Sequence, residues 1–168
     1  MKCPTCRNHT MQIAHPSAYR YALSDLSNVI LHGVTIETCP GCGEETLSIP
    51  RMAELHRTIA LAIANQPARL SGAEIRFLRK HLGWSGVDFA HALVVTPETV
   101  SRWENEKDPM GPTAERLLRL LAVRERPIED YPTARLADVA RDDGERWERI
   151  DLRMGQRGWQ VEMKGHDS

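Results

Sequence analysis

The residues best able to do chemistry are four cysteines, Cys3, Cys6, Cys39 and Cys42. They form two C-x-x-C pairs, Cys3-Pro4-Thr5-Cys6 and Cys39-Pro40-Gly41-Cys42, separated by residues 7–38. In such a knuckle the short loop turns backbone N–H groups toward the thiolates. Gly43, directly after the second pair, allows the tight backbone this needs. Two knuckles of this spacing converge on one tetrahedral metal. Four thiolates suit zinc, at about 2.3 Å per bond, with iron in a rubredoxin-like site as the competing reading. With every position filled by sulfur there is no open coordination for catalysis, so the expectation is one structural zinc per chain. A disulfide framework is disfavoured because Met1-Lys2-Cys3-Pro4 begins no apolar signal core. Thioredoxin-like chemistry is disfavoured because neither pair sits in a βαβ context. His9, His15 and His32 are read as surface or loop histidines.

A second chemistry, hydrogen bonding to DNA, is carried by residues 83–104. The run Gly83-Trp84-Ser85-Gly86-Val87-Asp88-Phe89-Ala90 continues through Val95-Thr96-Pro97-Glu98-Thr99-Val100 to Ser101-Arg102-Trp103-Glu104. Small Ala90 lets two helices cross closely. Val100 and Trp103, three apart, face a core, and Glu98, Thr99 and Arg102 share the opposite face. Over residues 71–124 this pattern resembles the helix-turn-helix of the XRE (Cro/repressor-like) family. The resemblance implies that the exposed face lies in the DNA major groove. Arg102 is then the main base reader, bidentate to a guanine, with Thr99 on a thymine methyl or a phosphate. Glu98 accepts from cytosine N4 or complements the helix dipole. Ser101 belongs to the same recognition element. Ser85 and Thr96 cap helices whose N-termini can meet phosphates. Arg79 and Glu104 match the family's internal ion pair, and Trp103 is core. The chain departs from the family at Val94 and Glu106, two positions often held by glycine.

The order of the two halves resembles the MqsA/YgiT-type antitoxins. The resemblance spans residues 1–124 and includes the Met-Lys-Cys-Pro-x-Cys opening, the second cysteine pair and Ser101-Arg102. It implies a zinc domain that binds a ribonuclease toxin. It also implies a homodimeric DNA-binding domain that binds a near-palindromic operator and represses its own operon. Residues 127–168 extend beyond that pattern. A stand-alone zinc-finger/XRE regulator without a toxin reads the same way. The contrasting class is a thiol-redox or rubredoxin-like electron-transfer protein. No Ser/His/Asp constellation, P-loop or GxGxxG supports other catalysis, so no enzyme is expected.

These groups must be positioned by short elements. Ala18–Ser24 and Asn28–Thr38 alternate like strands, broken at Gly33 by a bulge or bend, so residues 1–49 predict a small zinc-stapled antiparallel sheet. Pro50 opens a helix with Met52, Leu55, Ile59 and Ala62/Ile63 on one stripe. The expected domains are a zinc-binding domain with connecting helix at 1–65, a linker at 66–70, the helix-turn-helix at 71–126 and a C-terminal extension at 127–168. Ser71 with Glu74 forms a capping box, and Thr96-Pro97-Glu98 is a helix start. A helix at Thr113–Arg124 is expected to turn Leu117, Leu120 and Leu121 inward. Ala134–Arg141 reads as a short helix. Ile150, Leu152 and Met154, then Trp159, Val161 and Met163, alternate as a β-hairpin that must be covered by a dimer partner or by the helix-turn-helix. The fold class is therefore α+β.

Composition agrees with two small modules. Aromatic residues are only 5% of the chain, thin for one large core. The formal net charge is -1, which argues against a polybasic membrane or nucleic-acid coat, and residues 71–126 carry nine basic against eight acidic side chains. Few phosphate contacts and a moderate salt dependence follow. The longest apolar run, Ile59–Ala64, is far short of a membrane span. A soluble cytoplasmic protein with no membrane partner is expected.

Overall fold

A computed structural model describes residues 1–22, 25–124 and 144–162. The chain divides into two compact units, one of Met1–Tyr21, Asn28–Leu55 and Arg149–Ser168, the other of Ala22–Ser27 and His56–Glu148. The architecture is α+β, as expected.

Among the described residues the first unit holds seven strands: β1 (Gln12–Ala14), β2 (Tyr19–Arg20), β3 (Val29–His32), β4 (Thr35–Thr38), β5 (Glu45–Ser48), β6 (Ile150–Gly155) and β7 (Gly158–Glu162). They make two sheets rather than the single sheet expected for residues 1–49. One is antiparallel, in the order β1-β4-β5. The other runs β2-β3-β6-β7, with β3 and β6 parallel. Gly33, at φ +79, is the hinge that moves the chain from β3 in one sheet to β4 in the other.

The hairpin β6-β7 is joined to a sheet of the first unit: β6 pairs with β3 in the register Val29↔Ile150 to His32↔Arg153. Within the expected extension at 127–168, the described residues 149–162 fall in the first unit. Val29, Leu31, Ile150 and Leu152 are buried, as befits central strands of a mixed sheet. Trp159 anchors the hairpin: its Nε1 donates to Pro50 O at 3.0 Å, and its backbone N donates to Glu54 Oε1 at 3.0 Å. His32 on β3 and Asp151 on β6 hydrogen-bond at 2.5 Å, and Arg149 Nη2 donates to the same carboxylate at 2.6 Å. Met163 and Ala134–Arg141, part of the expected hairpin and helix, lie outside the described residues.

Helix α1 (Met52–Asn65) begins in the first unit and ends in the second. Leu55, Ile59, Ala62 and Ile63 are buried along it, as its stripe predicts. The second unit continues with α2 (Gly72–His81), α3 (Gly86–Ala92), α4 (Pro97–Glu104) and α5 (Pro112–Val123). Ser71 and Glu74 close a reciprocal capping box on α2, and Ser85 with Asp88 does the same on α3. Thr96 caps α4, with Pro97 in its first turn.

Two expectations fail here for one reason. Residues 66–70 are not a linker: Gln66, Ala68 and Leu70 are buried. Nor do Leu117 and Leu120 face inward, since they are 41% and 40% exposed. The inner face of α5 instead carries Leu118, Ala122 and a wholly buried Arg119, with Glu115 beside it. Arg119 donates to the carbonyls of Ile63, Ala64, Gln66 and Ala68 and to Glu115 Oε1 at 2.8 Å. Glu115 also accepts from Arg69 Nε and Leu70 N. The cation donates to the carbonyls where α1 ends, which a leucine could not do.

Candidate metal centre and nucleic-acid interface

Each cysteine pair is built on the same backbone device. Arg7 N donates to Cys3 O at 3.1 Å, and Gly43 N donates to Cys39 O at 3.0 Å. Both donors take a left-handed backbone, Arg7 at φ +58 and Gly43 at φ +75. Glycine marks the second turn in the sequence, while the first is made by an arginine and is invisible there. Cys6 N points at Cys3 Sγ at 3.5 Å, as a knuckle requires.

The two turns bring the four sulfurs together. Cys3 and Cys42 Sγ lie 3.6 Å apart, as do Cys6 and Cys39 Sγ, and all four lie within 4.8 Å of one another. A tetrahedron with bonds of about 2.3 Å has edges of about 3.8 Å, so the cluster has the size of a four-thiolate metal site. Cys3 and Cys39 are buried beside Met11, Cys6 is half-buried and Cys42 exposed. The His9 contact, 3.7 Å from Nδ1 to the sulfur, leads the interactions that hold the Cys6 thiol down to about 5. Cys42, although the Glu44 backbone draws it down, is pushed up to about 12 by Cys39, Cys3 and Cys6 around it. Four adjacent sulfurs resist losing all their protons unless a cation sits among them. Four cysteines so placed can bind a metal ion.

His9 lies outside the four-sulfur cluster and packs against it. A Cβ added at Gly41 would lie 2.2 Å from His9 Nδ1, which explains the glycine inside the second knuckle. His15 bonds Thr35 Oγ1, and His32 belongs to the other sheet, so neither joins the cluster.

In the second unit, α4 turns Val100 and Trp103 into the core and leaves Glu98, Ser101 and Arg102 exposed, with Thr99 half-buried. Ser85 and Thr96 are exposed at their caps. Ser85 Oγ donates to Asp88 Oδ2 at 2.6 Å, and Thr96 and Thr99 Oγ1 are 3.1 Å apart. Ser101 Oγ accepts from Asn105 Nδ2 at 3.3 Å, and Arg102 Nε donates to Asp108 Oδ2. The hydroxyls and the guanidinium are thus already held by local partners.

The frame behind this face is ionic. Arg79 grips Glu104 with two bonds, Nε at 2.5 Å and Nη2 at 3.1 Å, while its Nη1 donates to Trp84 O at 2.8 Å. Arg76 adds bonds to the Glu104 carboxylate and carbonyl. One arginine thereby ties α2 to the end of α4 and to the chain entering α3.

The two positions that depart from the glycine pattern both adopt the left-handed backbone, Val94 at φ +55 and Glu106 at φ +57. Val94 is 92% exposed, and nothing in the structure explains its side chain. Glu106 has a reason: its Oε1 accepts from Gly72 N at 3.0 Å, placing a carboxylate at the start of α2. A Cβ at Gly72 would lie 2.4 Å from Glu104 O, so the end of α4 and the start of α2 meet backbone to backbone.

A family model described as Helix-turn-helix (HTH_3) matches residues 75–128. That segment is an XRE-type helix-turn-helix domain, the module of DNA-binding transcription regulators. No curated protein matches the chain. Among the described residues no helix is long and apolar enough to cross a membrane.

Proposed function

We propose that this chain is a sequence-specific transcription regulator that binds a near-palindromic operator as a homodimer through α4. The observation that carries the reading is the construction of α4: Val100 and Trp103 anchor it, the Arg79–Glu104 pair fixes its end, and Glu98, Ser101 and Arg102 are exposed to solvent on one face. Arg102 reads a base and Thr99 lies beside it, while the capped starts of α3 and α4, at Ser85 and Thr96, face the backbone. The exposed Leu117 and Leu120, one turn apart on α5, support a two-fold contact between copies. Half-sites would then lie about one helical turn, ~34 Å, apart. The test is selection of binding sites from a randomised duplex pool, followed by titration of wild type and Arg102→Ala. The variant should lose about 1–3 kcal/mol per half-site on the selected site and much less on random DNA. Equal wild-type affinity for both would overturn the reading.

The finer reading is an antitoxin that represses its own operon, with one structural zinc held by Cys3, Cys6, Cys39 and Cys42 and a toxin bound by the first unit. It is supported by the resemblance over residues 1–124 and by the edge strand β1, where Ile13 is 63% exposed. Such an edge accepts an added strand. Where a small reading frame adjoins this gene, the full chain should rescue cells expressing it and co-purify with its product. Failure of both would leave a stand-alone regulator.

A further inference from the structure

The pair formed by Arg102 and Asp108 is not a stability device. Both side chains are open to solvent, 54% and 48% exposed, and such pairs contribute little to folding. Yet the backbone takes trouble to make it. Glu106 turns left-handed after α4, and its side chain is pinned at Gly72 N. Lys107 N and Asp108 N then both donate to Arg102 O, at 2.9 and 3.4 Å. Pro109 follows, and Met110 is buried, so the chain is anchored on both sides of Asp108. The carboxylate is delivered to the last turn of α4 by a fixed turn, not by a wandering side chain.

Which atom it takes decides the chemistry. Asp108 Oδ2 accepts from Arg102 Nε, and among the described residues no other hydrogen-bond partner is taken by this guanidinium. The two Nη groups, the end-on prong of the fork, are left free and coplanar. That prong is the one that fits guanine O6 and N7 together. The Arg102 hydrogen bond also holds Asp108 below the usual carboxylate range, so its charge persists at neutral pH.

We infer that Asp108 is the positioning residue for base reading. It orients Arg102 end-on for a guanine and, by its negative charge, weakens attraction of the same arginine to phosphates. This rests on the reading of α4 as the DNA-contacting helix. Asp108 would thereby trade overall affinity for discrimination.

The experiment uses the full chain and the duplex selected by wild type, alongside duplexes with the contacted guanine replaced by adenine and a random duplex. Arg102→Ala locates that guanine. Asp108→Ala should lower guanine-over-adenine discrimination about tenfold while raising affinity for random duplex a few-fold and steepening the salt dependence by about one phosphate contact. Asp108→Asn, whose amide oxygen still accepts from Nε, should keep more discrimination than Asp108→Ala but show the same gain on random DNA. A purely structural role would instead weaken binding to all duplexes alike. If wild type selects no site, the DNA-binding reading itself fails. If wild type and Arg102→Ala behave as expected while both Asp108 variants keep full discrimination, or change all duplexes equally, only the role of Asp108 is overturned.

Discussion

Replacing Arg119 with alanine is the sharpest test of how the second unit is held. The guanidinium is wholly buried and makes five hydrogen bonds, four to carbonyls of residues 63–68 and one to Glu115. Two of those carbonyls, on Ile63 and Ala64, belong to the last turn of α1, and Ile63 O also accepts from Gln66 N at 3.3 Å. Each bond lost from a buried carbonyl costs about 1 kcal/mol or more. Breaking a buried ion pair costs about 3–5 kcal/mol when the remaining charge has no other partner. Glu115 keeps Arg69 and the Leu70 amide, so its share falls toward the lower end. These terms overlap and do not add, and a net loss of about 4 kcal/mol is expected. That is a large part of the 5–15 kcal/mol typical of a domain. Urea unfolding followed by tryptophan fluorescence reads it directly, since Trp84 and Trp103 lie in this unit. Arg119→Lys retains the charge near Glu115 but cannot reach five acceptors at once, so it should fall between wild type and Arg119→Ala. A loss below about 1 kcal/mol for Arg119→Ala would refute the claim that this side chain organises residues 63–70.

Other outcomes follow from the same geometry. Chelation, or Cys39→Ser, should release one zinc per chain and open the β1-β4-β5 amides to hydrogen exchange, while α2–α5 keep their protection; bound metal of this kind supplies roughly 10 kcal/mol or more. An apo protein with that sheet still protected would count against a structural metal. Burial pushes the Asp151 carboxyl up, but hydrogen bonds from Arg149 and His32 hold it below its usual range. A lowered folded pKa adds stability above the ordinary aspartate value, near 4, that is lost as pH falls through the folded value. Asp151→Asn should therefore flatten the acid limb of first-unit stability, and an unchanged limb would remove Asp151 as its source. Val94→Gly should stabilise the second unit by about 1 kcal/mol by relieving a left-handed β-branched residue. Glu106→Gly should show no such gain, because it also loses the bond to Gly72 N; equal gains in thermal melts would contradict that account.

The parts legible in the sequence are those whose signal is local. The cysteine spacing, the Ser71–Glu74 box and the Thr96-Pro97 start each reside within a few residues, and the structure shows all three. The Arg79–Glu104 pair, which the family resemblance implies, is present. Hydrophobic periodicity misread α5 because its inner face is partly ionic: Arg119 and Glu115 look like surface charges until the carbonyls of 63–68 are brought beside them. Gln66-Pro67-Ala68-Arg69-Leu70 reads as a linker because Pro67 breaks the helical pattern, and the bonds from Arg119 to its carbonyls carry no signal in the sequence. The alternation at 150–162 announced a hairpin but not its partner, since period-two patterning marks a face and says nothing of which strand lies alongside. The left-handed Arg7 carried no signal, because nothing but the fold asks for it.

The parallel pairing of β3 with β6 has a consequence for biosynthesis. His32 and Asp151, which hydrogen-bond between these two strands, are 119 residues apart in the chain. At roughly 5–20 residues per second, β3 waits on the order of ten seconds for its partner to be made. During that time the edge of Val29–His32 that β6 will cover stands open. The helical unit, whose contacts lie closer together along the chain, can close while the ribosome is still working. The strands made first are therefore completed last, and a truncated or stalled product would present an open apolar sheet edge to chaperones, proteases and other nascent chains.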